Sequence, residues 1–515
     1  MKKKVLSVIL CFLVVITTVI SVDVTTAQKA SAASGEVRGM WIAFCDFQPL
    51  GLKNKSKATF TSNLDKVLNR AKYYGCNTIY WHARAFDDAT WASKTFKASA
   101  YLDSDACGKT AARTYSYDPL AIVIQECRER GLKIEAWLNP YRITYSNFLN
   151  PKSTYSTYRI NRAVNELQAY DLDGIHFDDY FYHSSSKYTS PSSATRYSVY
   201  VKGSTTKSLP SSANKRAYVN KMVKSVYKNV HQIRGDRFGI SPAGNVENCM
   251  ADGADVKTWM SKSGYIDYIA PQIYWTDNWG YSGRTKMYSN RLAQWKSLNK
   301  RNVDMYIGLA LYRTGIKASD DRGWAMRITN LRTQVKKMRS KNLEGYILFE
   351  ASDLYRSKAK GELYKLKGLV YPKYAKSITI SSGSSAWIGK GITTKVIWNP
   401  SDTNPKSVTY TTSNSRVATV SKSGVVKGKL PGRVTITAKA KKGAQATKTL
   451  TVKPCKVKVS KRYTAARTGA GSKYRIVTRF IKGKTFYVNR SKGNWGRVKG
   501  TSNWVYLKNT ARVSR

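Results

Sequence analysis

The sequence predicts an α/β fold, a (β/α)8 TIM barrel, followed by two small all-β domains. Three observations carry this. Residues 36–371 alternate short β-rich runs with amphipathic helical stretches, the pattern of parallel strands joined by crossover helices. The remaining chain has β-branched runs and turn residues without helical period. At 515 residues the protein is too long for one ordinary core.

In order, the first element is a leader. Lys2, Lys3 and Lys4 precede an apolar run from Val5 to Val22, and Ala30-Ser31-Ala32 follows, which reads as a secretory signal over residues 1–32. The run approaches the length of a bilayer span, so an uncleaved anchor is the alternative; once cleaved, the chain has no stable membrane span. Cys11 lacks the small residues before it that a lipid-anchoring cysteine needs. The expected location is secreted and wall-associated.

Eight strand candidates follow: Val37–Phe44, Asn77–Ala85, Lys133–Asn139, Gly174–Phe181, Phe238–Ala243, Ile266–Trp275, Met305–Tyr312 and Gly345–Phe349. Helical patterns separate most of them, including Thr59–Tyr74, Pro119–Arg130, Tyr158–Ala169, Asn214–Ile233, Arg284–Leu298 and Trp324–Arg339. Eight such repeats fit a barrel. Residues 374–453 then read as a small antiparallel sandwich, through Val396–Trp398, Val408–Thr411, Val417–Val420 and Val434–Ala438. Residues 455–515 are again short strands and glycine turns.

The charge is lopsided. Eighty-eight Lys and Arg stand against 31 Asp and Glu, a net +57. Residues 372–515 hold 32 of the bases and a single acid, Asp402, a net +31. Such an excess calls for a polyanion. Export removes nucleic acid and leaves anionic cell-wall polymers, held by the C-terminal domains. Nearly every carboxylate fit for chemistry therefore lies in the barrel. Six cysteines outside the leader are too scattered for a disulfide scaffold or a zinc site, so no metal and no cofactor is expected.

In such a barrel the chemistry sits at the C-terminal strand ends. The second strand ends Tyr80-Trp81-His82-Ala83-Arg84, the third runs to Asn139-Pro140-Tyr141-Arg142, the fourth to His176-Phe177-Asp178-Asp179-Tyr180, the sixth to Gln272-Ile273-Tyr274-Trp275 and the eighth to Phe349-Glu350. Alternation places His176 and Asp178 toward the barrel axis, with Asp179 reaching the mouth where the strand becomes loop. Two neighbouring carboxyls can push their pKa values apart, the division of labour that glycosidic cleavage requires. The aromatics Trp81, Tyr141, Tyr180, Tyr274, Trp275 and Trp279 form a candidate rim for stacking on sugar faces. Arg84, Asn139, Arg142, Asn245 and Gln272 are candidate donors to substrate, with Tyr141, His176, Tyr274 and Trp275 beside them. Glu247 is a reserve carboxylate.

These motifs resemble a known family. Val37-Arg38-Gly39-Met40-Trp41, Ala136-Trp137-Leu138-Asn139-Pro140, Asp173-Gly174-Ile175-His176-Phe177-Asp178-Asp179-Tyr180 and Ala270-Pro271-Gln272-Ile273-Tyr274-Trp275 are similar to the glycosyl hydrolase-like ten family of bacterial barrels. The resemblance implies an envelope carbohydrate hydrolase, with peptide-free peptidoglycan glycan strands as the leading substrate. The string Thr412-Ser413-Asn414-Ser415-Arg416-Val417-Ala418-Thr419-Val420, with Gly424-Val425-Val426 and Gly432-Arg433-Val434, resembles bacterial immunoglobulin-like group-two domains. Ala466-Arg467-Thr468-Gly469, Trp495-Gly496-Arg497-Val498 and Trp504-Val505 are similar to a bacterial SH3-like domain, which implies a wall-facing role. The fourth strand also looks like a distant chitinase-type motif, but Tyr180 stands where that motif carries its glutamate acid. Two mechanisms are therefore open. In one, Asp178 and Glu350 divide the acid and the nucleophile or base roles across the mouth; in the other, a substrate N-acetyl group is the nucleophile, Asp178 orients it and Asp179 protonates the leaving oxygen. The alternatives in function are a non-catalytic glycan-binding or adhesive surface protein, and a hydrolase of another extracellular polysaccharide.

Overall fold

The computed structural model describes residues 35–104, 109–183, 186–192, 201–233, 236–389, 391–401, 403 and 406–513. The expected signal segment, Cys107 and Asp402 lie outside these residues. The chain divides into two compact units, 1–370 and 371–515.

In the first unit eight parallel strands close a barrel: β1 (Val37–Ile42), β2 (Thr78–Arg84), β3 (Lys133–Leu138), β4 (Gly174–Phe177), β5 (Arg237–Ile240), β6 (Tyr268–Ile269), β7 (Asp304–Ala310) and β8 (Gly345–Phe349), each paired with its sequence neighbours and β8 with β1. This is the TIM-barrel class that the alternation predicted. The crossovers carry α1 (Lys57–Tyr73), α2 (Pro119–Glu129), α3 (Thr154–Leu167), α4 (Ser212–Ile233), α5 (Val246–Ala251), α6 (Val256–Trp259), α7 (Met287–Leu298), α8 (Asn330–Ser340) and α9 (Lys360–Val370). Helix starts follow their local chemistry: the Ser56 hydroxyl accepts from the Thr59 amide at α1, and Asp118 accepts from Leu120 and Ala121 ahead of Pro119 at α2. Each cap is worth about 1 kcal/mol.

Seven of the eight expected strands run past the observed C-terminal ends, and the eighth, Gly345–Phe349, is met as expected. The fourth stops at Phe177 and the sixth at Ile269. Pro271 has no amide proton to give to a ladder, so beyond it only Gln272 bridges, to Ala243 and Gly308. These early stops free Asp178, Asp179 and Tyr274 from the pleat.

Two apolar layers hold the barrel. Outward residues such as Ile79, Ile134, Ile175, Phe177 and Ile307 pack against the helices. Inside, Trp41, Tyr80, Trp137, Tyr268, Tyr306 and Ile347 fill the lumen. The lumen is crowded enough to require glycine in the wall: a Cβ on Gly239 would lie 2.1 Å from Cζ of Tyr268.

The second unit is all β. Its first part has the sheets β9 (Ser377–Ser381) with β12 (Lys395–Asn399), β10 (Ser385–Trp387) with β17 (Gln445–Lys453), β16 (Gly432–Ala440) and β13 (Val408–Thr412), and β11 (Gly391–Thr393) with β15 (Val425–Gly428) and β14 (Ala418–Val420). Seven strands between Cys455 and Arg512 form one further sheet. The sequence reading separates these parts into two domains, yet Val457 and Val488 of the last sheet share a core with Ile388, Val426, Ile436 and Leu450. Ser491 adds backbone and hydroxyl bonds to the Lys429 and Gly428 carbonyls. Together they form one packed body.

Candidate active site

The barrel mouth holds a cavity of about 230 Å³, lined by Trp41, Ala43, Phe44, Cys45, His82, Trp137, Asn139, Arg142, Asp178, Asp179, Tyr180, Ser241, Gln272, Tyr274 and Phe349. Most of these belong to the inward rows of the strands or their first loop residues, as a closed barrel dictates.

The two aspartates beyond β4 stand side by side on the cavity wall. Oδ1 of Asp178 accepts the Asp179 amide proton at 2.8 Å and the Gln272 side-chain amide at 3.0 Å. Gln272 is itself fixed, because the same Nε2 donates to the Ser241 carbonyl at 3.0 Å. Burial raises the Asp178 carboxyl above its ordinary value, while the Asp179 amide and carboxyl, the Arg142 charge and Gln272 all favour its ionised form. Asp179 is held well above the ordinary value, by burial first, then by the charge of Asp178 and the hydrogen bond to it. The two carboxyls titrate as a pair, and the two donors on Asp178 favour the charge there and the proton on Asp179.

The walls are aromatic and poor in mobile charge. His82 stacks on Trp137 with centroids 3.7 Å apart, and Tyr274 stacks on Phe349 at 5.9 Å. Arg142 lies over the rings of Tyr180, Phe86 and Tyr145 at 4.1, 4.7 and 4.9 Å. Nδ1 of His82 accepts the Phe44 amide proton at 3.4 Å, which leaves the ring proton on Nε2. Burial and the Arg142 charge hold this imidazole well below its ordinary pKa. Its Nε2, Oδ1 of Asn139 and Nε of Arg142 are buried atoms without a hydrogen-bond partner among the described residues. Buried polar groups are usually satisfied, so these are places for a ligand's polar atoms.

Several residues expected to bind substrate do other work. Arg84 is fully buried and ties loops together, donating to the Asn139 and Pro140 carbonyls at 2.8 and 3.0 Å and pairing with Asp87. Tyr141 is buried against Phe181 in the outer core. Asn245 caps α5, accepting from the Glu247 and Asn248 amides. Trp275 packs beside Gly244 and under Arg291, outside the cavity. Trp81 is core, its indole donating to Thr90 at 2.8 Å. Glu247 pairs with Arg291 at the surface.

His176 lies one layer below the floor. Its Nε2 accepts from the Trp41 indole at 3.2 Å and meets Ser241 Oγ at 3.1 Å, so Nδ1 carries the proton toward the Tyr268 hydroxyl, 2.8 Å away. Tyr268 donates onward to Glu135. Burial pushes His176 down to about 3 and Glu135 up to about 7, and through Trp41 and Ser241 this chain reaches the cavity wall.

Glu350, paired with Asp178 in one of the two mechanisms, stands outside the cavity lining. Its Oε2 faces Cys45 Sγ at 3.1 Å. Burial, then the Asp46 charge, raises it to about 7; the Asp178–Asp179 pair is not among the groups that shift it. Asp46, unnoticed in the sequence, is buried beside it, accepting the Ala43, Ser352 and Ala351 amide protons at 2.8, 2.9 and 3.3 Å. Ser241 also escaped the sequence reading, and Trp41, Trp137 and Phe349 were noticed in their strands without being assigned to the site. Extending the inward alternation along all eight strands would have found them. Among the described residues no group of three or more His, Cys, Asp or Glu side chains is arranged to hold a metal.

A (β/α)8 barrel whose mouth buries a proton-sharing carboxyl pair between aromatic walls defines a class: the protein is a glycoside hydrolase. Sequence relatives agree. Residues 146–326 match the glycosyl hydrolase-like 10 family and residues 374–452 the bacterial Ig-like domain (group 2). Glycosyl hydrolase DigH of Escherichia coli (strain K12) is 26% identical over 362 residues, covering 58% of this chain and 78% of that protein. Glycosyl hydrolase YngK of Bacillus subtilis (strain 168) is 27% identical over 369 residues, covering 62% and 69%. Among solved structures, chitinase ChiW from Paenibacillus sp. str. FPU-7 is similar at 12% identity and TM-score 0.41, over 82% of this chain and 57% of that one.

Proposed function

We propose that the protein is a secreted hydrolase of peptidoglycan glycan strands, working by substrate-assisted cleavage, with the basic C-terminal unit holding it to the wall. The observation that carries the mechanism is the Asp178–Asp179 pair inside the cavity, with Glu350 outside its lining. A sugar ring stacked among Trp137, Tyr274 and Phe349 would place its C2 acetamido group by Asp178. The acetamido oxygen bonds to the anomeric carbon as the glycosidic C–O bond breaks. Asp179 gives its proton to the departing oxygen, and Asp178 steadies the acetamido N–H as the ring closes. Asp179, now ionised, then takes a proton from water, whose oxygen reopens the cyclic intermediate. An amino-sugar polymer is required, and peptidoglycan supplies one.

Secretion is supported by the Lys2–Lys4, apolar-run and Ala30-Ser31-Ala32 sequence. The net +31 of residues 372–515 supports attachment to phosphate-bearing wall polymers through many weak contacts, and we assign the sheet from Cys455 to Arg512 the SH3-like wall-facing role. The test is digestion of purified peptide-free glycan strands by the mature protein and by Asp178→Asn, read by mass spectrometry. Fragments from the parent and none from the variant are expected. Fragments from both would remove Asp178 from the mechanism, and fragments from neither would reject this substrate.

A further inference from the structure

Asp179 faces two spaces. Beyond the mouth cavity lies a second lobe of about 260 Å³, lined by Asp179 and Tyr180 on one side and by His183, Asn248, Cys249 and Asp252 among others. Asp178 lines the first cavity alone; Asp179 lines both. The thiol of Cys249, on the far wall, is raised by burial and then by the charge of Asp179, which places that carboxyl between the lobes.

A general acid must face the oxygen it protonates. With Asp178 beside the ring that is attacked and Asp179 at the junction, the sugar that departs occupies the second lobe. The lobe also has a charge preference. No Lys or Arg lines it. Burial raises the Asp252 carboxyl, while His183 on the lobe wall and then Lys215 favour its charge, and Lys215 is committed to the Tyr182 and Ala251 carbonyls at 3.2 and 3.3 Å. The Asp252 backbone is pinned by the Asn248 carbonyl and the Tyr182 amide, each at 2.9 Å or less. Its carboxylate accepts no hydrogen bond among the described residues. The first cavity, by contrast, carries the Arg142 guanidinium.

We propose that the second lobe is the leaving-group subsite, and that Asp252 restricts it to a sugar bearing no carboxylate. The inference rests on the glycan-hydrolase reading above. Peptide-free strands alternate a neutral N-acetylglucosamine with a muramic unit carrying a lactyl carboxylate. Like charges repel in a lobe whose Asp252 is half-buried, so the muramic unit is placed in the first cavity with Arg142 and the neutral unit in the second. The bond cut is the one that leaves muramic acid at the new reducing end.

The experiment has two arms, each run with the full chain, Asp252→Asn and the lobe-filling Asn248→Trp. Borohydride reduction of digested strands followed by mass spectrometry reads the new reducing ends, and calorimetry reads binding of neutral chitooligosaccharides and of muramic-containing disaccharides. Muramic ends from the parent, with about tenfold more cuts in the other register from Asp252→Asn, are expected. Neutral oligosaccharide binding should weaken in Asn248→Trp. Glucosamine reducing ends from the parent would overturn the inference while leaving the hydrolase reading intact. Binding that depends on Asp252 and Asn248 without any cleavage would reject the hydrolase reading and the leaving-group role with it, leaving the lobe a binding site for neutral sugars. Binding indifferent to both residues would overturn the inference on its own.

Discussion

The barrel mouth carries two buried acidic clusters that differ in one respect. Asp178 and Asp179 lie within the cavity, while Asp46 and Glu350 lie between the loops after β1 and β8. Burial raises the pKa of all four. What separates them is where the hydrogen bonds lead. Asp46 spends its oxygens on three backbone amides from two loops, and Glu350 faces Cys45. Asp178 accepts from one local amide and one side chain, and its neighbour's proton borders open space. A displaced pKa therefore marks burial, and only access to a cavity turns it into chemistry. Glu135 beneath the floor makes the same point, raised to about 7 by burial although it does not line the cavity.

The largest separation between the clusters is expected from paired substitutions. Asp178→Asn should lower glycan turnover by about 10²- to 10⁴-fold with little loss of stability. Asp46→Ala should do the opposite: it leaves backbone amides unpaired and costs roughly 3 kcal/mol of unfolding free energy, measured by denaturant titration, with turnover per folded molecule retained. Turnover lost in the second variant, and not in the first, would reverse the roles.

Next is stability against pH. Glu135 has a folded pKa of about 7 against an ordinary 4.5, so between these values the folded state holds the proton that the unfolded state has released. Stability contributed by this group is present below about 4.5 and falls as pH rises toward 7. Glu135→Gln should abolish that fall, gaining on the order of 3 kcal/mol over the parent at pH 8 relative to pH 4, by urea unfolding. An unchanged pH dependence would place the titration elsewhere.

The turnover profile follows from the pair itself. Activity should decline in acid as Asp178 takes a proton and in base as Asp179 loses its own, and Asp179→Asn should remove the alkaline limb from whatever activity remains. The smallest effect is expected at Gln272→Ala, which removes one donor from Asp178 and should cost about tenfold in turnover while shifting the acid limb upward.

Much of the barrel was legible because burial on both faces leaves alternating runs separated by amphipathic helices. The sixth strand was overread, since Ala270-Pro271 continues the apolar pattern while proline ends the ladder. At the site, strand-end position selected Asp178, Asp179, Gln272 and Tyr274, which the structure gathers around one cavity. It equally selected Arg84, Tyr141 and Asn245. The i,i+3 partner Asp87 was a readable sign that Arg84 is occupied, and the Asn245 to Glu247 spacing was a readable cap. Tyr141 had no such sign, because its burial depends on Phe181 packing from another loop. Asp46 was missed because two of its three partners, Ala351 and Ser352, lie some 305 residues away.

In the proposed mechanism the acid comes from the cavity pair and not from the cluster beside β8. Turnover of peptide-free glycan strands by Asp179→Asn and Glu350→Gln, measured side by side at the parent's optimal pH, separates the two. A loss of at least about 10²-fold in Asp179→Asn and near-parental turnover in Glu350→Gln are expected. Equal collapse of Glu350→Gln, with Asp179→Asn still active, would contradict it and restore catalysis across the mouth by Asp178 and Glu350.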